Sequence, residues 1–520
     1  MFSINTTTFN NRKRSPLSWA AGEGRDEVVM LLLGKKNINP NRIDRDGRTP
    51  LTWAARNGHD GAVKILLGRK DIHPNMQDNG GQTPLLWAAM MNRDRAVELL
   101  LERDDVSPNT ADSDGRTPIS WAANYGCCGV VKLLLGRKDV NPDMQDNDGQ
   151  SPLLWAARSS HDEVVKLLLG RKDVNPDRTD RHGRTPLSWA ANYGCHGVVK
   201  ILLGREDVNP NMQDNDGQTP LSRASEGDRE EVVKLLLRCQ NINPNIADKS
   251  GLTPLLSAAA SPNHRIVQLL LESEDVEPNI ADNVGRTPLW WAASSGNHEA
   301  VQLLLGRRDI DPNIPDKDGN TPLTQSSVSG FEEVVEALLR CQNVNPNIPD
   351  KSGRAPLLLV STSRHPGIVR LLLEREDTNP NTTDTSGRTL LWWCAHFADD
   401  RTAELLLKRE DITPDIRSYH IQTALAAAAR LGYAGVVKLL VGHKNVNPNL
   451  TDKVGRTALS WAASSGNDEV VQLLLGWNDV DPNIPDIYGK SPLWWASCTR
   501  KEGALSLLLK ARQSANTGAV

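Results

Sequence analysis

Apolar residues come in short bursts along the chain, and each burst has the same two-part form. One example follows Thr49-Pro50: Leu51, Trp53, Ala54 and Ala55, then a break at Asn57-Gly58-His59, then Val63, Leu66 and Leu67. The second group keeps i, i+3, i+4 spacing, the mark of one helix face. Threonine satisfies free amides at a helix start and proline suits the first helical position. The pattern therefore predicts a short helix from Pro50 and a second near Gly61 to Leu67. The paired alanines allow a neighbouring backbone to come close. Gly68 with Arg69-Lys70 suits the end of the second helix. Asp71 to Gly80 is polar and reads as an extended finger.

This unit recurs in strict register. The glycine at Gly47 returns at Gly81, Gly115, Gly149, Gly183, Gly217, Gly251, Gly285, Gly319, Gly353, Gly387, Gly455 and Gly489, always at multiples of 34 residues. Lys13 and Ile421 fill the two remaining positions, giving 15 units without insertion or deletion. A chain of 520 residues would ordinarily suggest three or four domains. The register replaces that expectation with one array. In every finger a proline, from Pro40 and Pro74 to Pro482, precedes Asn or Asp, and an aspartate follows three residues later, with Ser418 the exception. Proline fixes φ, and Asn or Asp closes turns with its own side chain. Residues 115–148 and 183–216 differ at only five positions, which points to duplication of a 68-residue block.

Helix–turn–helix–finger units with a TPLxxAA start resemble the ankyrin repeat family. The matching residues are Gly47-Arg48-Thr49-Pro50-Leu51 with Ala54-Ala55, then Val63-Lys64-Ile65-Leu66-Leu67, then Asp71-Ile72. The NPN finger and the tryptophan of TPLxWAA are similar to arrays of filamentous fungi. The resemblance implies an all-α fold: an ankyrin-type α-solenoid of about 15 helix–turn–helix units with β-turn or hairpin fingers. It implies a polar segment 1–12, an array 13–510 and a flexible tail 511–520. The family's TPLH histidine is absent; Ser18, Thr52 and Leu86 stand in its place. The next position holds tryptophan in ten units, and its burial is the expected compensation. Arg223, Ser257, Gln325, Leu359 and Ala427 replace that tryptophan, so those units are expected to be soft.

Charge and composition narrow the function. Lys+Arg total 60 against 64 Asp+Glu, a net charge of −4, which argues against a nucleic-acid binder. Fourteen Trp against five Tyr and four Phe reflect the copied motif. No apolar run is long enough to span a bilayer, and Met1 to Arg14 is polar, without the apolar core expected of a signal peptide. Seven cysteines without a CxxC pair suit a reduced, intracellular setting, cytoplasmic in preference to nuclear. Lys490-Ser491 lacks the upstream glycine of a phosphate-binding loop, and Asp146-Asn147-Asp148-Gly149 lacks both ends of a calcium loop. His59, His161 and His365 share one register but fall in separate units, as do Cys127 and Cys195. No catalytic grouping is found. The expectation is a non-enzymatic chain with no cofactor and no metal. Arg12-Lys13-Arg14 reads as a solvated cap rather than an import signal.

A solenoid presents an extended concave surface for partners. The resemblance places contacts at the fingers, the residue after the anchor and the end of the first helix. At helix ends stand Met90, Met91, Tyr125, Tyr193, His396 and Phe397, residue types suited to interfaces. After the anchor stands an arginine row that includes Arg116 and Arg184. That row could read an acidic partner, or pair with the finger aspartates, which is the preferred reading. The expected function is a monomeric interaction scaffold or adaptor for a protein partner, without direct nucleic-acid or membrane binding. Alternatives are a transcription co-regulator, or a sensor array separated from a larger NTPase-type receptor.

Overall fold

The computed structural model describes residues 14–363, 365–419 and 422–517. Lys13, Ile421, the segment 1–12 and most of the basic cluster lie outside the described residues. Among the described residues thirty helices follow one another in pairs and there is no strand, only an isolated bridge between Thr383 and Thr389. The fingers thus take the turn form.

The expected start at Thr49-Pro50 is a real cap. Thr49 Oγ1 accepts the backbone N–H of Thr52, Pro50 opens the first helix, Pro50–Asn57, and Gly58 closes it with φ at 75°. That left-handed conformation suits glycine. The second helix, Asp60–Leu67, buries Ala62, Val63 and Leu66. Leu51, Ala54 and Ala55 meet them from the first helix and are sealed from solvent. Of the i, i+3, i+4 stripe read from the sequence, Val63 and Leu66 are buried and Leu67 is half-buried.

Arg69 was expected to serve the end of its own helix. Instead it reaches back one repeat. Its Nη1 donates to Leu33 O at 2.9 Å, while Nε and Nη2 grip Asp71 at 2.8 and 2.7 Å. The carboxylate holds the guanidinium plane flat against the previous helix end, where free carbonyls collect. Arg103, Arg137, Arg171 and Arg205 repeat the arrangement, as do Arg307, Arg375 and Arg409.

Fingers are joined in the same serial way. Where Asn follows the finger proline and another finger comes next, it acts as a two-way bracket, as Asn41 does: its Nδ2 donates to Asp71 O and its Oδ1 accepts from His73 N. Finger tips add a backbone bond, such as Asn79 N to Asp46 O at 2.9 Å.

The chain forms two compact units. One comprises residues 1–258 with 272–276, the other residues 259–271 with 277–520. Within each, first helices pack on first helices and second helices on second helices. The last helix, Glu502–Thr517, runs past Lys510 into the stretch expected to be a flexible tail. Ala511, Arg512, Gln513 and Ala515 are good helix formers and continue it.

Candidate interaction surface

The tryptophan of the repeat does more than fill space. Trp53 Nε1 donates to Asp44 Oδ2 at 3.0 Å, nine residues earlier. The same bond joins Trp87 to Asp78, Trp121 to Asp112, Trp155 to Asp146 and Trp189 to Asp180. In the second unit it joins Trp291 to Asp282, Trp461 to Asp452 and Trp495 to Asp486. The other carboxylate oxygen, Oδ1, accepts two backbone N–H groups and shapes the finger, as Asp44 does for Asp46 and Arg48. One aspartate therefore ties finger to helix. Burial of the ring is partial: Trp53 is sealed, whereas Trp121, Trp291 and Trp461 stay half-exposed.

Arg223 replaces a tryptophan yet keeps its bond, with Nη2 2.6 Å from Asp214 Oδ2. That repeat loses the buried ring but keeps a tie from helix to finger. In the repeat with Ala427 both partners are gone, because Ser418 stands where the aspartate should be.

The arginine row is engaged with these same groups. Arg184 Nε lies 3.1 Å from Asp180 Oδ2, and its guanidinium sits 3.9 Å from the Trp189 ring centre. Arg116 reaches Asp146 at 3.5 Å and lies against the Trp121 and Trp155 rings. Stacking and ion pairing together hold each guanidinium in place.

The helix-end residues behave differently. Tyr125 stacks on Trp121 with ring centres 5.6 Å apart and is 54% exposed. Tyr193 stacks on Trp189 at 5.5 Å and is 45% exposed. Phe397 repeats the arrangement on Trp393 at 5.4 Å and is 58% exposed. Each ring is rigidly backed on one side and open on the other. Met90 and Met91 are half-buried. His396 stacks on Trp392, and burial together with Arg430 and Arg388 holds its pKa below the usual range. Tyr125 and Tyr193 share one unit; His396 and Phe397 lie in the other. Sequence reasoning missed Arg158, whose guanidinium lies 4.8 Å from the Trp189 ring and 5.7 Å from Tyr193. Its register, level with Met90 and Asn124, was the available signal.

The inter-helix histidines have a structural role. His59 Nε2 bonds to Gly22 O and His161 Nε2 to Asn124 O, each reaching back one repeat. Among the described residues no cluster of His, Cys, Asp and Glu could hold a metal ion. Burial, with Asp94 and Cys128 nearby, pushes the Cys127 thiol up to about 11. No described helix is long and apolar enough to cross a membrane.

No curated protein matches the sequence significantly. The family described as ankyrin repeats in three copies matches residues 2–78, 70–146, 128–214, 196–282, 263–350, 339–418 and 425–518. Those matches span nearly the whole array, and with the paired helices and serial brackets they settle its class: the chain belongs to the ankyrin-repeat family.

Proposed function

We propose that this chain is a non-enzymatic scaffold or adaptor that binds a protein partner along the concave face of its repeats. Ankyrin repeats are in general protein-interaction modules. The observation that carries the reading is the pair Tyr125 and Tyr193, large aromatic rings left open although each is backed by a buried or half-buried tryptophan. Rigid aromatic side chains lose little freedom on binding and are typical anchors of interfaces. Arg116 and Arg184 are already committed to carboxylates and rings, so they support the face rather than lead the recognition.

The test is affinity capture with the tagged chain beside a Tyr125→Ala/Tyr193→Ala/Phe397→Ala variant. Both must give the same helical circular dichroism. A directly binding protein retained by the wild type, with at least tenfold weaker affinity for the variant, supports the reading. Equal affinity for both removes these residues from the site.

A further inference from the structure

The repeat that carries Leu359 breaks the aromatic series, and a crevice remains where the ring is missing. It holds about 210 Å³ and is lined by Arg354, Leu358, Leu359, Asp384, Arg388 and Trp393. Its walls follow from the array's own rule. Elsewhere the arginine after the anchor lies over a tryptophan: that of its own repeat for Arg184 on Trp189 at 3.9 Å, Arg286 on Trp291 at 4.1 Å and Arg388 on Trp393 at 4.2 Å, and more closely that of the next repeat for Arg116 on Trp155 at 4.2 Å and Arg456 on Trp495 at 3.9 Å. Arg354 keeps its carboxylate, with Nη2 2.8 Å from Asp350, but its own repeat offers Leu359 instead of an indole. On the far side Arg388 is held by Asp384 at 2.8 Å, and the Trp393 ring stands half-exposed. Trp393 also borders a larger cavity of about 530 Å³, which reaches Val360 and the exposed Phe397.

We propose that this crevice is a docking slot for one aromatic side chain, tryptophan or tyrosine, presented by a bound protein partner. The proposal rests on the scaffold reading and names the chemistry of one contact. Three features favour a ring over an aliphatic group. Guanidinium groups at the slot are attracted to π faces, as each arginine–tryptophan pair in the array already shows. Trp393 offers a ring edge or face for a second aromatic contact. Asp384, from the following finger, supplies an acceptor for an indole N–H or a phenol O–H, the same kind of partner that an aspartate nine residues earlier gives tryptophan in eight other repeats. The occupant is thus the group the array itself places at this register, supplied from outside.

The experiment selects random displayed peptides on the full chain and compares their affinity for wild type and Leu359→Trp, which fills the slot from within. The expected peptides carry Trp or Tyr, lose binding when that residue becomes Ala, and bind Leu359→Trp at least tenfold more weakly. The variant should melt no lower than wild type; if it does not fold, Leu359→Phe serves the same purpose. Peptides that bind both chains within threefold, or that need no aromatic residue, overturn the slot. Peptides that tolerate Leu359→Trp but are lost on Tyr125→Ala/Tyr193→Ala overturn the slot and leave the scaffold reading intact. Failure to enrich any peptide on the wild type overturns the slot as well.

Discussion

Asp26 lies directly over Gly61 of the next repeat, so that a methyl group on Gly61 would overlap the Asp26 carboxylate. Gly61 sits in the first turn of Asp60–Leu67, where a negative charge is favoured by the helix dipole. The pairing recurs at Asp94–Gly129 and Asp162–Gly197, and in the second unit at Asp400–Gly435 and Asp468–Gly503. Within each series the step is two repeats, 68 residues. This gives the duplicated block a physical basis: an Asp-bearing repeat fits best before a Gly-bearing one.

The pairing predicts a coupling. Gly→Ala in a helix ordinarily stabilises by about 1 kcal/mol. In Gly61→Ala the gain should largely vanish, because Asp26 must swing away from the helix end. In the Asp26→Ala background the gain should return. A double-mutant cycle by urea unfolding should show coupling of about 1 kcal/mol. Additive effects would mean that Asp26 moves at no cost.

The asparagine bracket has three aspartate exceptions in the described fingers. Asp143, Asp177 and Asp415 stand in its place. A carboxylate can accept from the next finger, as Asp177 Oδ2 does from Asn209 N at 2.8 Å, but cannot donate to a carbonyl. Asp143 Oδ1 and Asp177 Oδ1 are buried without a hydrogen-bond partner. Burial holds all three pKa values above the usual carboxylate range. A raised folded pKa means the folded chain binds the proton more tightly. The stability this provides is present below the unfolded value, near 4, and is lost as pH rises through the folded value. Asp177→Asn should therefore stabilise the array at pH 7 by about 1 kcal/mol, the worth of a restored hydrogen bond. The advantage should shrink as pH falls through the raised folded value and be lost below about 4, where the wild-type carboxyl is protonated folded or unfolded. Melting temperatures of the two chains across pH 3 to 8 would check this (the range is about that of carboxyl titration).

Much of the scaffold was legible because one unit is written many times. Thr49-Pro50, the Val63–Leu67 stripe and the finger turns all fold as their residue types dictate. What escaped was contact between repeats. Arg69 sits in sequence beside the end of its own helix, and nothing local says that it caps Leu33. Trp53 announced burial by its size, but its bond to Asp44 depends on how a finger folds back on a helix. The interaction surface was legible only as residue types at a register. Exposure of Tyr125 against half-burial of Met90 is set by packing, which a one-dimensional pattern does not contain.

Thiol chemistry should sort by burial. Cys498 is exposed, whereas Cys127, Cys195 and Cys394 are buried. Desolvation raises the pKa of those three thiols, that of Cys127 to about 11. The thiolate is the reactive form. Under native conditions at neutral pH, iodoacetamide should modify Cys498 first and leave the buried three until the chain unfolds. Mass spectrometry of timed digests reads the order; early labelling of Cys394 would show that its repeat opens readily.

Arg223 gives the most direct test of what the repeat's tryptophan contributes. Asp214 is almost wholly buried, and Arg223 is the side chain that reaches its Oδ2. Arg223→Ala removes that partner and leaves the oxygen unsatisfied, at a cost of about 2 kcal/mol. Arg223→Trp restores the indole bond seen between Trp189 and Asp180 one repeat earlier. It should leave stability within about 1 kcal/mol of wild type, since one satisfied partner replaces another. If the ring acted by burial alone, Arg223→Phe would match Arg223→Trp. If the bond to aspartate matters, Arg223→Phe should fall nearer Arg223→Ala, because a phenyl ring covers the carboxylate without donating to it. Urea midpoints of the three variants decide between these, and a Phe variant as stable as the Trp variant would assign the tryptophan's role to packing.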